Sequence, residues 1–195
     1  MRSREADSDR AELVRRARLL GSLCARHGAP VMHLSSYYVF GGDPKSAYDE
    51  SDQPAPLDSY GKFVVDLDEA FVTAVERHMI LRFSWLIDTA GDNLFTRILR
   101  AMLDSQNLPV SPTRRGAPTW KSDARRVVCG VVRQVVSGAQ NWGYFHYCSA
   151  DPCIELEFAR EVQETLAEIR DFKGEVVARD DEDDSDHYPL EPASA

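Results

Sequence analysis

Helical and extended hydrophobic periods alternate along almost the whole chain, and this alternation restricts it to a layered α/β fold with a mainly parallel sheet. From Asp9 to Arg26, apolar residues fall at Leu13, Ala17, Leu20 and Cys24, the spacing of a helix with one buried stripe. Asp9 is expected to cap it, with Glu12 three residues on, and Gly28 to end it in the left-handed conformation. The run Val31-Met32-His33-Leu34 after Pro30 is short and apolar, and reads as a strand buried on both faces. Gly41, Gly42, Pro44, Pro54 and Pro56 then mark a long surface loop over residues 41 to 59, of a length that tends to be functional.

Helical spacing returns from Tyr60 to Arg77 through Phe63, Val64, Leu67, Phe71 and Val75, which leaves Asp66, Asp68 and Glu69 for the solvent side. Met79 to Leu86 reads as a second buried strand. Asn93 is placed to cap a third helix carrying Leu94, Ile98, Leu99 and Met102, which Pro109 prevents from continuing. Ser122 is placed to cap a fourth, with its apolar face at Val127, Val128, Val131 and Val135. Gly143 to Cys148 alternates as a strand does, and Ile154 to Ile169 is a last amphipathic helix. Six of the seven residues from Asp180 to Asp186 are acidic, so residues 173 to 195 are expected to form a disordered tail after a body spanning 1 to 172.

A length of 195 residues with 43% hydrophobic content supports a packed core, and the formal net charge of -9 argues against a nucleic-acid partner. No stretch reaches the roughly 20 apolar residues of a spanning helix, and the charged first residues are unlike a signal peptide. These features place the chain in the cytoplasm, away from membranes, with the four cysteines reduced. The eleven glycines include no GxGxxG and no GxxxxGK[ST]. A zinc site at His146, Cys148 and Cys153 has no standard spacing and would need His187 as fourth ligand; no metal is expected. His33 reads as a hydrogen-bonded core residue, and Trp85, Trp120 and Trp142 as core or pocket wall.

Two places carry candidate chemistry. Ser35-Ser36-Tyr37-Tyr38 follows a buried strand, and open α/β sheets bind ligands outside the carboxyl ends of their strands. Tyr60 opens a helix after the proline-rich loop, where a phenol acts as general acid if an ammonium lies beside it. Residues three or four apart share a helix face. Lys62 is only two away, and the position four on is Val64.

Taken in order, HLSSYYVFGG (33 to 42), YDESDQPAPLDSYGK (48 to 62), LRFSW (81 to 85), NLFTRILR (93 to 100) and GAPT (116 to 119) resemble the dTDP-4-dehydrorhamnose reductases of the extended short-chain dehydrogenase superfamily. The resemblance runs from about residue 10 to residue 170. It implies a partial Rossmann-like fold, truncated at its N-terminus where the glycine-rich half would lie, and NADPH-dependent reduction of a 4-keto deoxysugar nucleotide. It also implies a Ser/Thr, Tyr, Lys catalytic set, in which Ser36 matches the hydroxyl that binds the substrate carbonyl. Tyr60 matches the acid, next to the cofactor, and Trp85 and Asn93 match substrate-binding positions. Val64 stands where the lysine should be, Tyr37 replaces an aspartate, and Thr113-Arg114 replaces Asp-Gln. Relatives that resemble this family as strongly serve as the regulatory subunit of methionine adenosyltransferase, so a non-catalytic subunit is the competing expectation. The missing strands imply an exposed apolar sheet edge, closed by a homo-oligomer contact or a partner chain.

Overall fold

The computed structural model describes residues 2–41, 47–169 and 171–179, with side chains from residue 8 onward. Its contacts divide the chain into two compact units, one of residues 1–83 and 130–147 and one of residues 84–129 and 148–195. Within the first lie helix α1 (Arg2–Arg26), strand β1 (Val31–Ser36), a short 3-10 turn (Tyr37–Val39), helix α2 (Ser59–Val72) and strand β2 (His78–Phe83). The second half of helix α4 (Lys121–Val136) and strand β7 (Gly143–Tyr147) complete it. The strands form one all-parallel sheet in the order β1-β2-β7, with Val31 beside His78 and Met79 beside Gly143.

One face of this sheet is sealed by Ala17 of α1 and Ala70 and Phe71 of α2 against Ile80. Side chains alternate along a strand, so Met32, Leu34 and Met79 belong to the other face. Gly21 sets how closely the two helices approach, since a Cβ there would lie 2.8 Å from that of Ala74.

The second unit holds β3 (Leu86–Ile87), α3 (Leu94–Leu103), β4 (Leu108–Val110), β5 (Arg115–Gly116), β6 (Thr119–Trp120), the first half of α4, β8 (Cys153–Ile154), α5 (Glu155–Ala167) and β9 (Val176–Ala178). Three two-stranded ladders join β3 to β6 and β4 to β9 in parallel, and β5 to β8 antiparallel. Its core is Ile98, Ala101, Met102, Val110, Ala159 and Val176.

Several expectations need correction. The first helix begins at Arg2, so Asp9 lies inside it and caps nothing; Glu12 instead pairs with Arg15 and Arg16. Its end is as expected, with Gly28 at φ +61. Strand β1 is not buried on both faces, because Leu34 is 53% exposed. Helix α2 stops at Val72, short of Arg77, and the second strand ends at Phe83, with Leu86–Ile87 a separate short strand. Pro109 lies within β4 and does not end α3, which closes at Asp104 just before Ser105 at φ +55. Ser122 sits inside the first turn of α4 rather than capping it. Part of the expected tail is ordered, since Val176–Ala178 pair with β4; the acidic run and His187 lie outside the described residues.

Candidate functional site

Ser36 ends β1 and caps the turn that follows, its Oγ accepting from the amide of Tyr38 at 3.4 Å. The turn throws Tyr38 across to the start of α2, where its ring meets that of Tyr60 edge-on with centroids 5.2 Å apart. Asp58 caps α2 by accepting from the Gly61 amide at 2.6 Å. Gly61 is required there for space: a Cβ would lie 2.3 Å from the carbonyl oxygen of Tyr38 and 2.7 Å from Cβ of Pro56. The close approach of these two backbones sets Ser36, Tyr38 and Tyr60 together at the carboxyl end of β1, where α/β sheets present ligands.

Tyr60, Val64 and Asp68 are four apart on α2 and so share one stripe. Val64 is 5% exposed and apolar, and Lys62 is exposed on another side of the helix. No cation therefore stands four residues after Tyr60. Arg10 of α1 instead reaches the first turn of α2, donating to Oγ of Ser59 at 3.0 Å and lying 5.9 Å from the ring of Phe63.

Farther down the stripe, Asp68 is buried, not on the solvent side as the spacing suggested. Arg82 of β2, equally buried, donates to its Oδ2 from Nη2 at 3.1 Å and Nε at 3.3 Å. The guanidinium lies over the rings of Tyr144 at 4.4 Å and Phe40 at 5.3 Å. Burial raises the Asp68 carboxyl above its ordinary range, opposed by Ser35, Arg82 and His33. His33 sits with Nε2 3.5 Å from Oδ1 of Asp68; burial lowers its pKa from 6.5, and that carboxylate partly offsets the shift. This network anchors α2 to the sheet beneath the candidate site. An arginine inside an otherwise apolar strand was the sequence signal for it, because a buried cation needs a carboxylate.

Trp85 and Asn93 belong to the second unit. Trp85 is buried, its ring 6.2 Å from that of Phe158 and so close to Gly116 that a Cβ there would come within 2.4 Å of the indole. Asn93 caps α3 as expected, in a reciprocal box with Thr96 at 3.2 and 3.1 Å. Thr113 and Arg114 donate their amides to Oγ of Ser111 at 3.3 and 3.0 Å, and the Arg114 guanidinium lies 3.9 Å from Glu155. Of the remaining tryptophans, Trp120 packs on Phe95 and Trp142 lines a groove on the sheet. All four cysteines are free. Among the described residues no group of three acidic, histidine or cysteine side chains is arranged to hold a metal, and no helix is long and apolar enough to cross a membrane.

The chain is 32% identical over 152 residues to the dTDP-4-dehydrorhamnose reductase of Sinorhizobium fredii, covering 77% of this chain and 51% of that protein. It is 29% identical over 142 residues to the enzyme of the same name from Aggregatibacter actinomycetemcomitans, covering 72% and 48%. The crystal structure of the Bacillus anthracis dTDP-4-dehydrorhamnose reductase in complex with NADP superposes with a TM-score of 0.72 at 23% identity, covering 88% of this chain and 58% of that one, and fixes the partial Rossmann-like fold. The chain thus spans about half the length of the curated relatives it matches. A match over residues 3–186 to the family described as RmlD substrate binding domain, together with these relatives, establishes that the chain belongs to that family.

Proposed function

We propose that this chain is the sugar-nucleotide-binding portion of a reductase of the dTDP-4-dehydrorhamnose class, with Ser36 and Tyr60 positioned to hydrogen-bond a sugar keto group and the third catalytic position lost. The contact that carries this reading is Tyr38 against Tyr60, which holds the two hydroxyl-bearing elements at one strand end. Trp85 and Asn93 enter the reading as the substrate-binding positions that the resemblance assigns. Within the second unit, packing accounts for the indole and capping for the amide.

NADPH is the cofactor that the family implies, but the residues of this chain do not fit it unaided. Val64 offers carbon where an ammonium would meet the cofactor and lower the phenol pKa, and the 195 residues contain no glycine-rich pyrophosphate cradle. No reduction step is therefore assigned to this chain alone. The same buried valine favours a second reading, a non-catalytic binding or regulatory subunit such as that of methionine adenosyltransferase. Either role fits a cytoplasmic setting, where four free cysteines stay reduced. Both also call for a homo-oligomer contact or a partner chain at the open sheet edge.

Calorimetric titration with dTDP-rhamnose tests the proposal. Saturable binding with Kd below about 1 mM, near 4 kcal/mol, is expected, weakened at least tenfold when Ser36→Ala and Tyr60→Phe are combined. Absence of saturation, or binding indifferent to both substitutions, would refute it. Adding Val64→Lys and NADPH separates the two readings: recovered keto-sugar reduction marks a decayed reductase, and a variant that folds and binds the sugar nucleotide yet stays silent marks a binding subunit.

A further inference from the structure

Tyr38 and Tyr60 sit on different elements, the 3-10 turn after β1 and the first turn of α2, so their ring contact is only as fixed as those elements are relative to one another. Two of the contacts that fix them end on one side chain. Asp68, farther along the α2 stripe from Tyr60, accepts from Arg82 Nη2 at 3.1 Å and Nε at 3.3 Å. Phe40, just beyond Tyr38, has its ring centroid 5.3 Å from the same guanidinium. The path from Tyr60 along α2 to Asp68, through Arg82 to Phe40 and back along the turn to Tyr38 therefore closes on itself.

A guanidinium suits both tasks at once. It donates hydrogen bonds within its plane and offers its face to an aromatic ring, so the ion pair and the ring contact do not compete. Arg82 is buried, where both interactions are stronger than at the surface. Phe40 is braced in turn on the side of the loop. Its ring stacks on Tyr48 with centroids 4.3 Å apart and planes 8° from parallel, and meets His146 of β7 edge-on at 5.5 Å. The amide of His146 donates to the Glu50 carboxylate at 2.9 Å, and its ring nitrogen lies 3.4 Å from the carbonyl oxygen of Tyr48, so the 48–50 loop occupies the β7 edge.

We infer that Arg82 is a positioning residue of the candidate site: by holding Asp68 of α2 and Phe40 of the turn with one guanidinium, it sets the Tyr38 ring against Tyr60 and so places the Ser36 and Tyr60 hydroxyls relative to one another. The effect on ligand binding rests on the reading of that site as a sugar-nucleotide site; the effect on geometry does not. A residue that only stabilised the fold could be replaced by any pair of side chains that restores stability. A residue that positions cannot, because the Phe40 half of its contacts is lost with the guanidinium.

The test separates stability from placement. Arg82→Met combined with Asp68→Leu removes both charges together and leaves no stranded ion, so the chain still folds. Phe40→Leu leaves the ion pair in place and removes only the ring. Nuclear Overhauser contacts between the Tyr38 and Tyr60 rings report the geometry, and calorimetric titration with dTDP-rhamnose reports the site. In both variants the ring contacts should be lost and Kd should rise roughly fivefold or more, whereas Phe40→Tyr, which keeps the ring, should hold both near their native values. Intact ring contacts in the folded double variant or in Phe40→Leu would overturn the inference. So would equal losses in Phe40→Tyr, or a Kd unchanged beside lost ring contacts. If the native chain leaves dTDP-rhamnose unbound while the ring contacts respond as expected, the sugar-nucleotide reading falls and the positioning of Tyr38 and Tyr60 by Arg82 stands.

Discussion

At the scale of single residues, the Asp68–Arg82 pair carries most consequence. Two charges are held out of water by one another, and removing one strands the other. Arg82→Met should destabilise the protein by about 3–5 kcal/mol, while Arg82→Met with Asp68→Leu should recover most of the loss. Chemical denaturation of the two variants checks this, and equal stability of single and double variants would contradict it. His33 adds a pH dependence. Its folded pKa lies below the unfolded value of 6.5, so the unfolded chain takes up the proton first and stability falls as pH drops below 6.5 toward the folded value. Asp68 acts the other way: its raised pKa contributes stability that is complete below 3.8 and is lost as pH rises through the folded value. Comparing the native protein with His33→Gln at each pH isolates the histidine. The variant should show a smaller loss of melting temperature between pH 7 and pH 5, and parallel profiles would rule the histidine out. The sequence reading of α2 chose a stripe through Phe63, Val64, Leu67 and Phe71, which has a charged residue at its centre. Apolar periodicity alone sends such a residue to solvent; the partner that holds it inside is fourteen residues away, on another element.

Among elements, the meeting of the 3-10 turn with α2 decides whether the candidate site exists. Gly61→Ala places a methyl group against the Tyr38 carbonyl and Pro56. It should cost about 1–3 kcal/mol, the range for overpacking, and should change the near-ultraviolet signal of the tyrosines. A variant with native stability and signal would show that the contact is looser than the geometry implies. Elements whose ends depend on local chemistry were legible: Asn93 before α3, Gly28 after α1, and the β7 alternation. Boundaries set by packing were not. Residues 2 to 8 continue α1 without an apolar stripe, so no period announced its true start. Val176–Ala178 reads as tail because its reason for being a strand is β4, whose paired residues lie 68 positions earlier.

For the whole molecule, the alternation of periods identified the α/β class, and five ordered segments carried the resemblance to the family. Ser36 and Tyr60 were legible as a pair only through the resemblance. The Tyr38 contact that joins them depends on two backbones nearly touching, which spacing does not encode. The open edge followed from the expected truncation, but its asymmetry did not. Glu50 and Tyr48 come from the proline-rich loop, nearly a hundred residues before the histidine they meet.

That asymmetry bears on what the protein does when crowded. A body joinable on two opposite sides builds filaments, because each addition recreates the site it consumed. Here the Glu50 carboxylate accepts from the backbone of β7, so that edge does not present an unbroken row of free backbone groups to a neighbouring strand.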